Sequence, residues 1–280
     1  MARFHTLEFP DPPRQPVGDR TQQTAEPELT SGAAAVETHR DTVATSVQNE
    51  IFHMRAADEQ FQMGRFEQAL RLYSRALEGN PNLDSAWVGQ VRMLIEMGEL
   101  KEARVWADRA LEIFPGHGEL LAAKGVVAAR LGDRTKSIEF SDAAAASREA
   151  GRSYVWLARG EVLLATRRKN VDFVLEKALS LARDWFTTLL VARIYYFYRH
   201  YARALVHARE AVEANMLSPF AWLVQGNCQE ALAMSIPARD SYTQALTLDP
   251  DYEAARVALG TVRPAGALAF ILAPWRKLRR

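Results

Sequence analysis

The chain has 280 residues, 48% hydrophobic and 25% charged, with 35 Lys+Arg against 34 Asp+Glu and a formal net charge of +1. That balance excludes a wholly disordered chain, and it leaves no global field to gather nucleic acid or a membrane surface. The single Cys228 excludes an internal disulfide and a thiolate zinc site. Only six of the 35 basic residues are lysines, and alanine is abundant. This bias predicts a GC-rich, bacterial source.

Residues 1–48 come first and read as a disordered extension. Pro10, Pro12, Pro13, Pro16 and Pro27 lie among Asp, Gln, Thr, Ser and Glu, and the stretch lacks the apolar periodicity that could offset its ordering entropy. Its start has neither the basic residues nor the apolar run of a signal peptide. No segment approaches the ~18 apolar residues of a membrane-spanning helix, so a cytoplasmic setting is expected.

From Glu50 onward the pattern is helical and repeats. Gly64, Gly98 and Gly132 are 34 residues apart, as are Ala76, Ala110, Ala144 and Ala178; Ala211 and Ala245 continue the series at 33 and 34. Pro81 and Pro115 keep the same spacing, and Trp87, Trp156 and Trp222 recur near the starts of units. Three units carry the fullest set: Glu50 to Leu83 with Ala57, Gly64, Phe66, Ala69, Tyr73, Ala76 and Pro81; Asp84 to His117 with Trp87, Gly98, Ala103, Ala110 and Pro115; and Pro219 to Tyr252 with Trp222, Gly226, Ala238, Tyr242, Ala245 and Pro250. The middle is degenerate. Ser137 and Ser141 replace the usual Ala and aromatic, the register slips near Arg167 to Asn170, and Arg199 stands where a turn glycine is expected.

A 34-residue period of paired short helices resembles the tetratricopeptide repeat family over about residues 50–262. The resemblance implies an all-α, right-handed superhelix (an α-solenoid) of about six to seven helix pairs. Residues 49–262 would form the solenoid, and 263–280 a capping segment with a basic tail. It also implies a non-catalytic protein that binds other proteins, and that the first helix of each unit lines a concave groove. On that register the groove carries Val88 and Arg92, Arg130, Leu157 and Glu161, Leu189, Arg193 and Tyr196, then Leu223 and Asn227. The family's peptide-carboxylate clamp needs Lys and Asn from successive first helices. Here the matching places are mostly apolar and Asn227 stands alone, so that clamp is not expected. A strip of apolar side chains with arginines at intervals suits a peptide with hydrophobic anchors and some acids.

No nucleotide-binding glycine loop, nucleophile elbow or zinc-protease motif occurs, so no catalytic residue, metal or cofactor is expected. His200 and His207 lie two turns apart near Glu210 and Glu213, a spacing read as ordinary surface histidines. Cys228 reads as a buried structural thiol. In the run Ile194-Tyr195-Tyr196-Phe197-Tyr198 at least one ring must leave the core, because successive side chains spread around a helix. Residues 152–210 hold eleven basic against five acidic side chains. A solvated face is the first reading of that excess; an RNA-binding solenoid is the lesser one, and nucleic acid is not the expected partner. The apolar stretch from Ala265 and the end Trp275-Arg276-Lys277-Leu278-Arg279-Arg280 read as a cap, with peripheral membrane contact as the alternative. The expected function is an adaptor or chaperone-like protein holding a partner peptide in its groove. The rival is an assembly scaffold of a membrane-associated secretion or envelope complex, using the convex face and tails.

Overall fold

The computed structural model describes residues 48–261. The expectations for the N-terminal extension and for the segment 263–280 fall outside these residues. Among the described residues every regular element is helical. Helix α1 spans 48–62, followed by α2 (Phe66–Gly79), α3 (Asp84–Met97), α4 (Leu100–Ile113), α5 (Gly118–Arg130) and α6 (Arg134–Ala145). A 3₁₀ turn (Arg148–Gly151) leads to α7 (Ser153–Ala165) and α8 (Val171–Leu181). Then come α9 (Trp185–Phe197), α10 (Tyr201–Ala214), α11 (Pro219–Ala231), α12 (Ser235–Leu248) and α13 (Glu253–Thr261). Each odd-numbered helix from α3 to α11 packs on the even one that follows, and neighbouring odd helices pack on each other. This is an all-α superhelical repeat.

The turn inside each pair explains the glycine series. Gly64, Gly98 and Gly132 have φ of 72°, 81° and 88°. Each donates its N–H to the carbonyl three residues back, and the next residue donates to the carbonyl five back: Gly98 to Ile95 and Glu99 to Leu94, for example. These paired bonds satisfy helix-end carbonyls and require a left-handed residue. Arg167, Arg199 and Ala233 make the same two bonds in the later pairs at φ of 56°, 62° and 60°. The units that lack the turn glycine therefore keep the turn and bear its steric strain. Ala233→Gly is expected to stabilise the chain by about 0.5–1 kcal/mol, the relief exceeding glycine's entropic penalty. Thermal melting should rise by roughly 1–3 °C; a fall would mean the turn is not under strain.

Between pairs the small residues set the spacing. Ala76, Ala110, Ala144, Ala178, Ala211 and Ala245 are all at most 1% exposed. A larger side chain there would push packed helices apart. The recurrent tryptophans share one hydrogen bond: Trp87, Trp156 and Trp222 donate their indole N–H to the carbonyls of Pro81, Ala150 and Met216, each six residues back. Each indole pins the linker before its helix with its polar atom satisfied; the Trp87 ring is buried and those of Trp156 and Trp222 are half-buried.

The stack curves until its beginning meets its end. The turn after α1 packs on the last units: Tyr252 donates its hydroxyl to the Met63 carbonyl at 3.0 Å, and Arg65 pairs with Asp249 at 2.7 Å. Phe66 stands edge-on to Phe220 with ring centres 5.8 Å apart, and Phe61 lies 4.9 Å from Phe186. The concave groove expected from the sequence does not anticipate this closure. The groove becomes a walled cavity.

Candidate functional site

The cavity has a volume of about 340 Å³ and is lined chiefly by α3, α7 and α9, with α5 and α11 completing the wall. Seven of the expected groove residues line it: Arg92, Arg130, Leu157, Glu161, Arg193, Tyr196 and Asn227. Val88, Leu189 and Leu223 do not. They are 5%, 0% and 7% exposed and belong to the packed core. All three stand four residues into their units, in the first half of the helix, where the side chain meets neighbouring helices. Of the seven that line the cavity, six stand eight to twelve places in, and only Leu157 does so from the equivalent early place in its helix.

The arginines are engaged within the chain. Arg130 donates Nε to Glu161 at 2.6 Å and a terminal N–H to the Ile95 carbonyl at 2.9 Å, and its guanidinium lies 4.2 Å from the centre of the Phe197 ring. The Arg130 and Glu161 side chains are only 10% and 6% exposed. Tyr198 adds a hydroxyl donor to Glu161 at 3.3 Å. Arg193 pairs with Glu96, 97 residues away in α3, and rests against Phe66 and Phe220. It thus joins the middle of the stack to both ends of the closure. Arg92 packs against Tyr154 and Phe61, 4.1 and 4.8 Å from the ring centres.

These neighbours set the charge states. Burial alone would raise the Glu96 carboxyl, but the Arg193, Arg130 and Arg92 charges and the Arg193 hydrogen bond outweigh it and hold the carboxyl below the usual range. The reverse holds for Glu119, where burial outweighs nearby Arg152 and Arg92 and raises the carboxyl. Burial pushes the Tyr154 and Tyr198 phenols up, so both remain neutral donors. The Cys228 thiol is fully buried and pushed up to about 12 by that burial, so it offers no thiolate nucleophile near neutral pH.

Sequence reasoning missed Glu96, Tyr154 and the rings that brace the arginines. A signal for Glu96 existed: Arg92 and Glu96 are the two charged residues in the segment Trp87–Met97, at i, i+4 spacing. In the structure Glu96 turns to Arg193 and leaves Arg92. In the aromatic run Tyr195 is buried, Tyr196 is half-buried at the cavity and Phe197 is 52% exposed. His207 stacks on Tyr195 and pairs with Glu210 at 3.0 Å. Among the described residues no group of three His, Cys, Asp or Glu side chains is placed to hold a metal. The basic excess of residues 152–210 is partly neutralised, because Arg152, Arg159 and Arg193 pair with Glu119, Asp142 and Glu96, which lie outside that stretch.

Residues 60–127 match the family model described as tetratricopeptide repeat. No curated protein matches the chain. Solved structures with a similar fold include the APC/C hetero-tetramer Cut9-Hcn1, at 14% identity over 80% of this chain and 45% of that one, with a TM-score of 0.49. The chain thus spans less than half the length of that protein. A tetratricopeptide repeat protein from Parabacteroides merdae is 17% identical over 75% of this chain and 83% of its own, with a TM-score of 0.48. TTC0263 of Thermus thermophilus is 17% identical over 76% and 98%, with a TM-score of 0.46.

Proposed function

We propose that this tetratricopeptide-repeat chain is a non-catalytic protein–protein interaction adaptor that holds a segment of a partner protein at the cavity between α3 and α11. Helix-pair solenoids offer curved surfaces for binding. The observation that carries the finer reading is the cavity rim, where half-buried Tyr196 and exposed Phe197 stand beside the wall residues Leu157 and Asn227. Large aromatic rings next to polar groups are the commonest anchors of binding energy. A volume of about 340 Å³ is near the lower end of the ~300–1,000 Å³ typical of ligand cavities. It suits one or two anchor side chains, with the rest of the segment outside. Among the described residues no helix is long and apolar enough to cross a membrane. The proposal keeps the cytoplasmic setting and the three-part layout expected from the sequence.

The test is selection of peptides from a random display library against the full chain, followed by fluorescence anisotropy of those selected. Tyr196→Ala should weaken binding by about 1–4 kcal/mol, up to roughly a thousandfold, with melting followed on the same sample. A second reading has its own observation. Val105, Phe173 and Val206 occupy equivalent places on α4, α8 and α10 and are 62%, 69% and 54% exposed. If Phe173→Glu abolishes binding while folded Tyr196→Ala leaves it intact, the outer helices are the binding face and the scaffold reading prevails.

A further inference from the structure

The cavity is lined by three arginines and two glutamates, and the charges do not divide evenly. Arg130 is taken by Glu161 and Arg193 by Glu96. Among the described residues Arg92 makes neither an ion pair nor a hydrogen bond. The other acids near it are engaged too: Asp58 accepts from the Tyr73 hydroxyl at 2.6 Å, and Glu119 faces Arg152 at 3.5 Å. A half-buried guanidinium left in this way is an unmet electrostatic demand.

Its surroundings hold it ready for a ligand. Its guanidinium carbon lies over the Tyr154 and Phe61 rings, contacts that take up none of its N–H donors, the fork that can meet a carboxylate with two parallel bonds. The Tyr154 hydroxyl beside it also lacks a hydrogen-bond partner among the described residues and lines the same cavity. One of these two donors is cationic and the other neutral, and neither has an acceptor among the described residues.

We propose that the cavity receives one carboxylate, the side chain of an Asp or Glu in the bound segment, with Arg92 as its bidentate partner and Tyr154 as a second donor. This rests on the cavity being the binding site. The charge count selects the anion class. Three cations against two fixed carboxylates leave a surplus of one, which matches a carboxylate. A phosphate monoester carries about −1.5 to −2 and would meet Glu96 and Glu161 with excess negative charge.

The probes are N-acetyl-glutamate methylamide, its neutral glutamine isostere, and N-acetyl-phosphoserine methylamide, each titrated into the full chain at low ionic strength and followed by NMR. The acid should bind with a Kd on the order of 1 mM, at least tenfold tighter than the isostere and tighter than the phosphoserine. Arg92→Met, which keeps the packing against the rings, should erase the acid preference, and Tyr154→Phe should reduce it severalfold. Equal binding of acid and isostere overturns the proposal, as does tighter binding of phosphoserine or a preference retained in folded Arg92→Met. Should Arg92→Met fail to fold, the wild-type comparison and Tyr154→Phe still decide. If the acid preference is absent while selected peptides still depend on Tyr196, the cavity stands as the site and only the acidic anchor falls.

Discussion

Gly64→Ala should destabilise the chain by about 2–4 kcal/mol, whereas Gly98→Ala and Gly132→Ala should each cost only about 1–2 kcal/mol. All three glycines occupy the same left-handed turn, at φ of 72°, 81° and 88°, so the backbone penalty is common to them. The difference lies in what a Cβ would meet. At Gly98 and Gly132 nothing is within 4 Å. At Gly64 the added carbon would lie 2.5 Å from the Phe220 ring and 2.8 Å from the Tyr252 hydroxyl, far inside van der Waals contact. Either the ring and the hydroxyl move, or the turn lifts off the last units and takes the Met63 hydrogen bond and the Arg65–Asp249 pair with it. Urea unfolding of the three variants isolates the closure, and small-angle scattering should show a larger radius of gyration for Gly64→Ala alone. Equal destabilisation of all three would mean that the ends do not meet in solution.

The closure is also the feature least legible in the sequence, and the reason is physical. The alanine, glycine and tryptophan series each report a contact within a unit or with its neighbour, and a contact repeated every 34 residues leaves a visible period. The path of the whole stack is instead the sum of small rotations between units, and no local motif encodes that sum. Arg193 was legible as a cavity residue from its place in α9, but its partner Glu96 lies 97 residues away and could be named only once the curvature was known. The same distinction separates Arg92, Arg130 and Tyr196 from Val88, Leu189 and Leu223. A 3.6-residue period places all six on the inner side of their helices; how far along the helix the next unit covers that side depends on tertiary packing. Even the units without a turn glycine obey the local rule. Arg199 and Ala233 adopt the glycine conformation because the two carbonyls at the helix end must be satisfied whatever residue follows them.

Glu161→Gln should be the most damaging conservative change in the cavity, costing about 3–5 kcal/mol. The substitution keeps the shape and leaves an oxygen for Arg130, but it removes the negative charge that makes burial of that guanidinium tolerable. Burial by itself lowers the Arg130 pKa; pairing with Glu161, helped by Glu96, more than reverses this and raises it. A folded-state pKa above the unfolded value stabilises the fold at every pH below the unfolded one. For arginine that covers the whole working range, so the loss in Glu161→Gln should be nearly flat between about pH 6 and 9. Glu96 behaves oppositely. Its lowered carboxyl stabilises the fold above the ordinary carboxylate range, and that contribution disappears as pH falls through the folded-state pKa. The double change Arg130→Met, Glu161→Leu removes both charges together and should recover much of the loss, because a buried pair exchanged for apolar side chains is often neutral or stabilising. Recovery would identify the pair as a requirement of charge compensation. Its absence, with the double variant as unstable as Glu161→Gln, would show that the Ile95 and Tyr198 hydrogen bonds around the pair hold the cavity wall in place.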